Sequence, residues 1–234
     1  RVYSNNATVP WVDDLKRETP YIQIDNRLFE WADQCKKYYE NGWMGSTSLW
    51  SDEWAFDQSA EAKVFGVFYS TWGINFTLLG NAGEEGFGDW AVCEGPAAWY
   101  WGGTWIAGAR GTDNASLVAD IMRKFTCDRG NMVSITKGTD DYTNTMSGMS
   151  EIASSSYKSD FLGGQNHIAL FAEAAPKIDM SVVGLYDQGC CDAFKAAFAG
   201  YITGEYDKVT ALHKFYDAAV QNFPELTYDE MSIG

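Results

Sequence analysis

Apolar side chains recur at helical spacing over much of the chain. In NRLFEWADQCKKYYENG, which Asp25 or Asn26 can cap, the apolar positions fall on one face, and Gly42 ends the pattern. In NASLVADIMRKFTCD, which Thr112 or Asp113 can cap, the apolar positions form a stripe. That stripe comprises Leu117, Val118, Ile121, Met122 and Phe125. Further helices are predicted in NTMSGMSEIASSSY, GGQNHIALFAEAAPKI, DAFKAAFAGYITG and DKVTALHKFYDAAVQNF.

A second pattern, short runs of Val, Phe, Tyr and Trp bounded by glycine, predicts strands. The run AKVFGVFYSTW predicts a buried strand that delivers Tyr69 and Trp72 at its end. WAVCEGP and WGGTWIAGA predict two more strands, and the glycines of the latter indicate close backbone approach. YIQID predicts a short extended segment near the N-terminus. The predicted fold class is therefore α/β with helix in the majority.

Length and charge narrow the class of protein. The 234 residues suit one large domain or two closely packed lobes. A formal net charge of −15 argues against a nucleic-acid partner, because phosphate contacts require clustered Lys and Arg. The sequence contains neither a transmembrane run nor a signal peptide. Because RVYSNNATVPWV has no initiator Met, we expect a processed or truncated start whose missing part carries the export signal.

Side chains that commonly bind metals or carry catalysis are few and lack the usual motifs. The five cysteines have no C-x-x-C spacing, so we expect neither zinc nor a disulfide framework. Cys190 and Cys191 are expected to be buried thiols rather than a vicinal disulfide. His167 and His213 fall in predicted helices and are interpreted as core or helix-surface residues. G-x-S-x-G, H-E-x-x-H, Walker A and dinucleotide motifs are absent, and we expect no cofactor and no metal.

One catalytic alternative stays open, because a chain with 32 acidic residues can supply a carboxylate pair for glycoside hydrolysis. The first candidates are Glu84, Glu85, Asp89 and Glu94. A solvated acidic loop is the simpler interpretation of these residues. We therefore predict a binding protein rather than an enzyme.

The tryptophans favour a sugar as the ligand. All ten lie between Trp11 and Trp105, and we expect at least half of them in the core. The C–H faces of sugar rings pack on flat aromatic side chains, while Asp, Asn and backbone groups bind the hydroxyls. Trp72 at a predicted strand end, Trp101 before two glycines, and Tyr186 with Asp187 in GLYDQG fit this role.

The order of these motifs resembles the C-terminal part of extracellular solute-binding protein family 1, the maltose-binding-protein-like proteins of carbohydrate ABC transporters. EAKVFGVFYSTW looks like a family element whose final Trp stacks on sugar, here Trp72, although Ser70-Thr71 replaces the usual Gly. YWGGTWIAGARGTDNASLVADIMRKFTCD resembles the signature segment whose glycines face the ligand, which assigns that role to Trp101, Gly102 and Gly103. YDQGCCDAFKAAFAGYITG resembles the first of the closing helices, with Tyr186 and Asp187 near the sugar.

The resemblance implies a helix-rich, periplasmic-binding-protein-like type II fold, mostly the C-terminal lobe. Residues 1–100 would belong to that lobe, 101–155 would cross into the N-terminal lobe, and 156–234 would complete the C-terminal lobe with helices. It implies ligand binding by Tyr69, Trp72, Trp101, Gly102, Gly103, Tyr186 and Asp187.

The resemblance further implies a monomeric receptor that captures a mono- or oligosaccharide and delivers it to a membrane permease. Such a protein would be lipid-anchored outside a Gram-positive cell, or periplasmic. The chain would correspond to the later half of a family member, with much of the cleft supplied by the missing segment. The alternatives are a glycan-active enzyme fragment and a surface carbohydrate-binding or structural domain.

Overall fold

A computed structural model describes residues 1–15, 18–45 and 47–229. The chain divides into two compact units, Arg1–Ser46 with Asp179–Gly234 (unit 1) and Thr47–Ile178 (unit 2). The sequence-based division into residues 1–100, 101–155 and 156–234 refers to the lobes of a larger protein, and it stays a prediction. No helix in the described ranges is long and apolar enough to cross a membrane.

The described residues are rich in helix and contain little strand, which agrees with the predicted majority of helix. The α-helices are α1 (Val2–Asn5), α2 (Asn26–Glu40), α3 (Asp52–Phe56), α4 (Leu79–Ala82), α5 (Ala115–Thr126), α6 (Arg129–Thr139), α7 (Met146–Ala153), α8 (His167–Ala174), α9 (Asp187–Thr203) and α10 (Lys208–Asn222). A π-helical segment, Ile74–Leu78, runs directly into α4, and 3-10 turns occur at Glu84–Gly86 and Ala175–Lys177. The strands are β1 (Val12–Asp13) and β2 (Tyr21–Ile22), which pair antiparallel with Val12 opposite Ile22.

Unit 1 is built on α2, α9 and α10, whose apolar faces meet in one core. Phe194 and Phe198 of α9 stack with their ring centroids 4.0 Å apart, and Trp11 packs on Phe194 at 5.5 Å. Asp25 caps α2 by accepting a hydrogen bond from the Arg27 N–H at 2.9 Å. Burial disfavours the charge of Asp25, but hydrogen bonds from Thr8 and Arg27 outweigh it and hold its pKa below the usual range.

Unit 2 contains two smaller cores. Ile74, Leu78, Ala82, Phe161 and Leu162 form the first, and Met149, Ile152 and Ile168 of α7 and α8 form the second. Phe171 packs against both. A backbone hydrogen bond of 3.0 Å from Ser159 to Gln165 closes the loop before α8. The Gln165 side chain in turn pairs with both backbone groups of Val92, at 2.7 and 2.8 Å.

The helix predictions are largely confirmed. Several boundaries differ. Asn114, rather than Thr112 or Asp113, occupies the N-cap of α5, and α9 begins at Asp187, before the predicted segment. The helices α7 and α8 are shorter than the segments predicted for them. Gly204 ends α9 in a left-handed conformation (φ 81°), a backbone geometry that glycine adopts without steric cost. The extended segment in YIQID is confirmed as β2. Cys190 is a buried thiol as predicted, whereas Cys191 is only half-buried, and both are free.

Three strand predictions are wrong. Residues 62–72, 90–96 and 101–109 form no strand, and most of their side chains lie in solvent. Phe65 is fully exposed and Trp105 is 86% exposed. A β-strand is stable only with a neighbouring strand to satisfy its backbone groups, and the described part of the chain pairs none with these segments.

Candidate functional site

Unit 2 carries a continuous network of aromatic rings, which we call the aromatic cluster. It comprises Trp50, Trp54, Tyr69, Trp72, Phe76, Trp99 and Trp101. Trp72 contacts four other members and is the hub of the cluster. The centroid of its ring lies 5.2 Å from that of Tyr69, 5.4 Å from that of Trp101, 5.8 Å from that of Phe76 and 6.2 Å from that of Trp50. The structure therefore brings together the three predicted aromatic ligands of this region, Tyr69, Trp72 and Trp101.

The turn at Ser70–Gly73 sets the position of Trp72. The Gly73 N–H donates to the Ser70 carbonyl at 3.0 Å, and the Trp72 carbonyl accepts from the Phe76 N–H at 3.1 Å. A Cβ at Gly73 would overlap the Tyr69 ring, so only glycine allows that ring to lie over the turn. Trp72 and Phe76 are four residues apart at the helix start, which places their rings side by side.

The start of α3 positions Trp50 and Trp54, two further members of the aromatic cluster. Ser51 caps α3 by accepting from the Trp54 N–H at 3.1 Å, and Trp50 and Trp54 meet edge to face at 5.2 Å. Trp50 adopts a left-handed backbone (φ 73°), which costs about 1–2 kcal/mol for a residue with a side chain. In that conformation its ring lies within 12° of parallel to the ring of Trp72. Strain of this kind concentrates at functional sites.

The rings of the aromatic cluster pack against one another, and part of each ring remains exposed to solvent. Trp54, Tyr69, Trp72, Trp99 and Trp101 are half-buried. Trp50 is 55% exposed and Phe76 is 72% exposed. Rings that pack on one another and still face solvent provide a preformed aromatic surface, because their side-chain entropy is already restricted.

The expectation that at least half of the tryptophans lie in the core is wrong. All ten fall within the described ranges, and Trp11 is the one that is buried. Trp31 and Trp90 are half-buried against the cores, and Trp43 and Trp105 are exposed. The other five belong to the aromatic cluster. The five tryptophans of the aromatic cluster therefore pack against other aromatic rings rather than inside a helical core.

The Tyr69 hydroxyl is buried and has no hydrogen-bond partner among the described residues. Burial raises the pKa of Tyr69, and the nearby Thr77 hydroxyl acts in the opposite direction. That Thr77 hydroxyl donates its own proton to the Gly73 carbonyl at 2.9 Å. The phenol oxygen is therefore enclosed by the protein rather than open to solvent.

The Asp141 carboxylate accepts a hydrogen bond from the Tyr142 N–H at 2.7 Å. Burial raises the pKa of Asp141, and the nearby Thr71 hydroxyl and the Tyr142 N–H act in the opposite direction.

Gly102 and Gly103 are exposed and follow Trp101 directly. A Cβ on either glycine would meet no atom within 4 Å, and neither has a left-handed backbone. Nothing in the described protein therefore requires glycine at these two positions.

The open backbone at these two glycines leads to a first prediction. Gly102→Ala and Gly103→Ala should leave the melting temperature within about 2 °C of the wild type, because a surface change away from special features alters stability by about 0.5 kcal/mol or less. If a ligand lies against this backbone, each change should weaken binding. Gly73→Ala is the matched control, and it should unfold the turn under Tyr69. A large loss of stability in Gly102→Ala would contradict this interpretation.

Tyr186 and Asp187 belong to unit 1, where both are buried. Tyr186 packs on Phe223 with a centroid distance of 5.1 Å, and Asp187 accepts from the Gly184 N–H at 2.9 Å. Burial raises the pKa of Asp187, while the Gly184 hydrogen bond lowers it. Their assignment as ligand residues stays a prediction, and their described contacts are structural ones.

The four acidic candidates for catalysis are exposed. Glu84 and Glu85 line an open groove of about 350 Å³ with Phe56, Ser59 and Glu61. Glu94 forms an ion pair with Lys177 at 3.6 Å. Within residues 1–15, 18–45 and 47–229, no group of three or more His, Cys, Asp or Glu side chains could hold a metal ion.

No family model matches this chain, and no curated protein or solved structure matches it either. The resemblance to solute-binding proteins therefore rests on the sequence motifs alone.

Proposed function

We propose that the protein binds carbohydrate, without catalysing a reaction, on the aromatic cluster of unit 2. The observation that supports this best is the hub position of Trp72, which joins Trp50, Tyr69, Phe76 and Trp101 into one partly exposed surface. Sugar rings present apolar C–H faces to such surfaces, while their hydroxyls need a few polar partners. The open backbone at Gly102 and Gly103 meets that need.

We further propose that this surface belongs to the sugar-binding component of a carbohydrate ABC transporter. In the intact protein, two lobes of a periplasmic-binding-protein-like fold would close on the sugar by a hinge motion and present it to a membrane permease. The ligand would shift the open–closed equilibrium through its higher affinity for the closed form. This part of the proposal, with the extracellular lipid-anchored location and the monomeric state, rests on the order of the sequence motifs.

The test is a titration of intrinsic tryptophan fluorescence with maltotriose, cellotriose, xylotriose and galactose, with product analysis in parallel. Saturable quenching or a blue shift with one of these sugars, and an unchanged sugar at the end, is the expected result. Appearance of cleaved product would favour the glycan-active enzyme instead, and the groove at Glu84 and Glu85 would be the first place to mutate. A flat response to every sugar would favour a structural surface domain and contradict the proposal.

A further inference from the structure

Unit 2 exposes large apolar side chains outside the aromatic cluster. Phe65 is fully exposed, Phe68 is 77% exposed and Trp105 is 86% exposed. On α5, Leu117 and Phe125 are each 59% exposed, and none of the twelve residues of this helix is buried. Soluble proteins rarely expose large contiguous apolar surfaces, and those that they do expose commonly mark an interaction site. These side chains therefore indicate a surface that binds a partner.

The exposed side chains belong to one connected region, which we call the apolar patch. It comprises residues 62–69, residues 101–110 and the apolar face of α5. The first two segments meet where the rings of Tyr69 and Trp101 lie 5.6 Å apart. The second segment meets α5 at Gly108, where an added Cβ would lie 3.0 Å from Cγ1 of Val118. The three parts of the apolar patch are thus neighbours in space as well as in sequence.

The charge of the apolar patch differs from that of the whole chain. Residues 62–69 and 101–126 carry an excess of two positive charges, although the formal net charge of the protein is −15. The charged side chains in these two ranges are Lys63, Arg110, Arg123, Lys124, Asp113 and Asp120. Asp120 forms an ion pair with Arg123 at 2.6 Å, which leaves the basic side chains in excess on α5. An anionic surface is therefore repelled less by this region than by the rest of the chain.

The helix α5 has the pattern of a helix that lies in the surface of a membrane. Leu117, Ile121 and Phe125 recur at four-residue spacing and are all exposed, and Arg123 and Lys124 lie in the last turn. Such a helix places its apolar face at the boundary between lipid headgroups and acyl chains, while its basic side chains reach the lipid phosphates. Exposed Trp and Phe side chains beside the helix fit the same boundary, where aromatic rings are enriched.

A bilayer surface also fits the backbone of the apolar patch and the charge of the protein. Residues 62–69 and 101–110 form no strand, so their backbone groups need water or another polar partner. The headgroup region provides both, whereas the hydrocarbon core provides neither. A second copy of the chain fits less well, because each copy brings a net charge of −15 and association must overcome that repulsion.

We propose that the apolar patch of unit 2 docks on the surface of a lipid bilayer that contains anionic lipids. Phe65, Trp105 and the apolar face of α5 enter the boundary between headgroups and acyl chains, and Arg110 and Lys124 bind lipid phosphates. This interaction goes beyond sugar binding and does not rest on it, because it involves a different surface and requires no sugar.

The first test is flotation of the protein with vesicles of phosphatidylcholine and phosphatidylglycerol in equal amounts, in the absence of sugar. The wild type should float with the vesicles, and Trp105→Ala and Leu117→Ala should each bind about tenfold more weakly, since each removes a large apolar side chain from the boundary. Trp43→Ala and Leu185→Ala are the matched controls. Both side chains belong to unit 1, where they are 69% and 84% exposed, and their removal should leave vesicle binding unchanged.

The second test concerns charge. Lys124→Gln should reduce binding to the anionic vesicles about fivefold, the factor expected for one basic side chain near an anionic surface, and should leave the weaker binding to pure phosphatidylcholine unchanged. Lys37→Gln, an exposed lysine on α2 of unit 1, is its control and should behave as the wild type does. Circular dichroism confirms that each variant is folded.

Three outcomes would overturn the proposal. The first is a wild-type protein that floats with neither kind of vesicle. The second is an equal loss of binding in the unit 1 controls and in the variants of the apolar patch. The third is a dimer in sedimentation velocity that Leu117→Ala dissociates, since a second copy would then cover the patch. A failure of sugar binding leaves all of these measurements unaffected, so the two proposals are tested separately.

Discussion

Replacing Trp72 with alanine is expected to reduce sugar affinity by at least about thirtyfold, the loss that corresponds to roughly 2 kcal/mol at a binding hot spot. A loss of this size is expected because the Trp72 ring contacts four other members of the aromatic cluster, Trp50, Tyr69, Phe76 and Trp101. Its removal takes away a stacking face and leaves the neighbouring rings without their common support. Fluorescence titration cannot report this reliably after a Trp is lost, so isothermal titration calorimetry is the measurement.

Two comparisons separate this effect from a general loss of aromatic surface. Trp43 is 69% exposed in unit 1 and packs on Tyr38 at 6.1 Å, so Trp43→Ala should bind as the wild type does. Trp72→Phe keeps a ring at the hub and should bind with an intermediate affinity. The hypothesis would be refuted if Trp72→Ala retained full affinity in a folded protein, or if Trp43→Ala weakened binding as much.

The sequence predicts the long helices well because the apolar spacing that indicates a helix can be recognised within a single segment. In α2, Leu28 and Ala32 recur four residues apart and are buried, and Asp25 supplies the cap hydrogen bond. In α9, Phe194 and Phe198 have the same spacing and stack in the core. A helix satisfies its own backbone, so its formation needs no information about distant residues.

The strands cannot be predicted in the same way. AKVFGVFYSTW has the composition of a strand, yet composition does not say whether another segment lies beside it to complete the hydrogen bonds. The structure leaves Phe65 and Phe68 in solvent and gives this stretch no strand partner among the described residues. The apolar stripe on α5 likewise does not predict burial. Leu117 and Phe125 have helical spacing, but each is 59% exposed.

The candidate site is predicted in part. The sequence points to Tyr69, Trp72 and Trp101 through their places in presumed strands, and they meet in the aromatic cluster by a different route, through a helical turn. The sequence prediction omits four members of the cluster, Trp50, Trp54, Phe76 and Trp99. The spacing of four between Trp50 and Trp54, and between Trp72 and Phe76, is the available signal, since it predicts neighbouring rings at a helix start.

The polar contacts at the end of α6 have no signal in the sequence. They depend on the left-handed conformation of Asp140, which accepts hydrogen bonds from Ser159 and His167, residues remote in sequence. A pattern of apolar positions cannot report such contacts, because they are made between polar side chains and backbone groups that are remote in sequence. The interpretation of His167 as a core histidine is correct, yet its hydrogen bond to Asp140 is set by the fold.

Replacing Phe198 with alanine should remove a large part of the stability of unit 1. Phe198 is fully buried, stacks on Phe194 at 4.0 Å and lies 6.0 Å from both Phe29 and Tyr201. Removing a buried phenylalanine ring costs about 3–5 kcal/mol, through the lost transfer free energy and the cavity that remains. Because a domain is typically stable by only about 5–15 kcal/mol, this loss is a large fraction of the free energy of unfolding.

Urea denaturation followed by circular dichroism measures this loss, with Phe125→Ala as the matched control. Phe125 lies on α5 and is 59% exposed, so its removal should change the free energy of unfolding by about 0.5 kcal/mol or less. Phe198→Leu should fall between the two, since leucine fills part of the cavity. Equal losses in Phe198→Ala and Phe125→Ala would mean that the face of α5 is covered in solution and would contradict the exposure described for it. A small loss in Phe198→Ala alone would contradict the packing of α9 against α2 and α10.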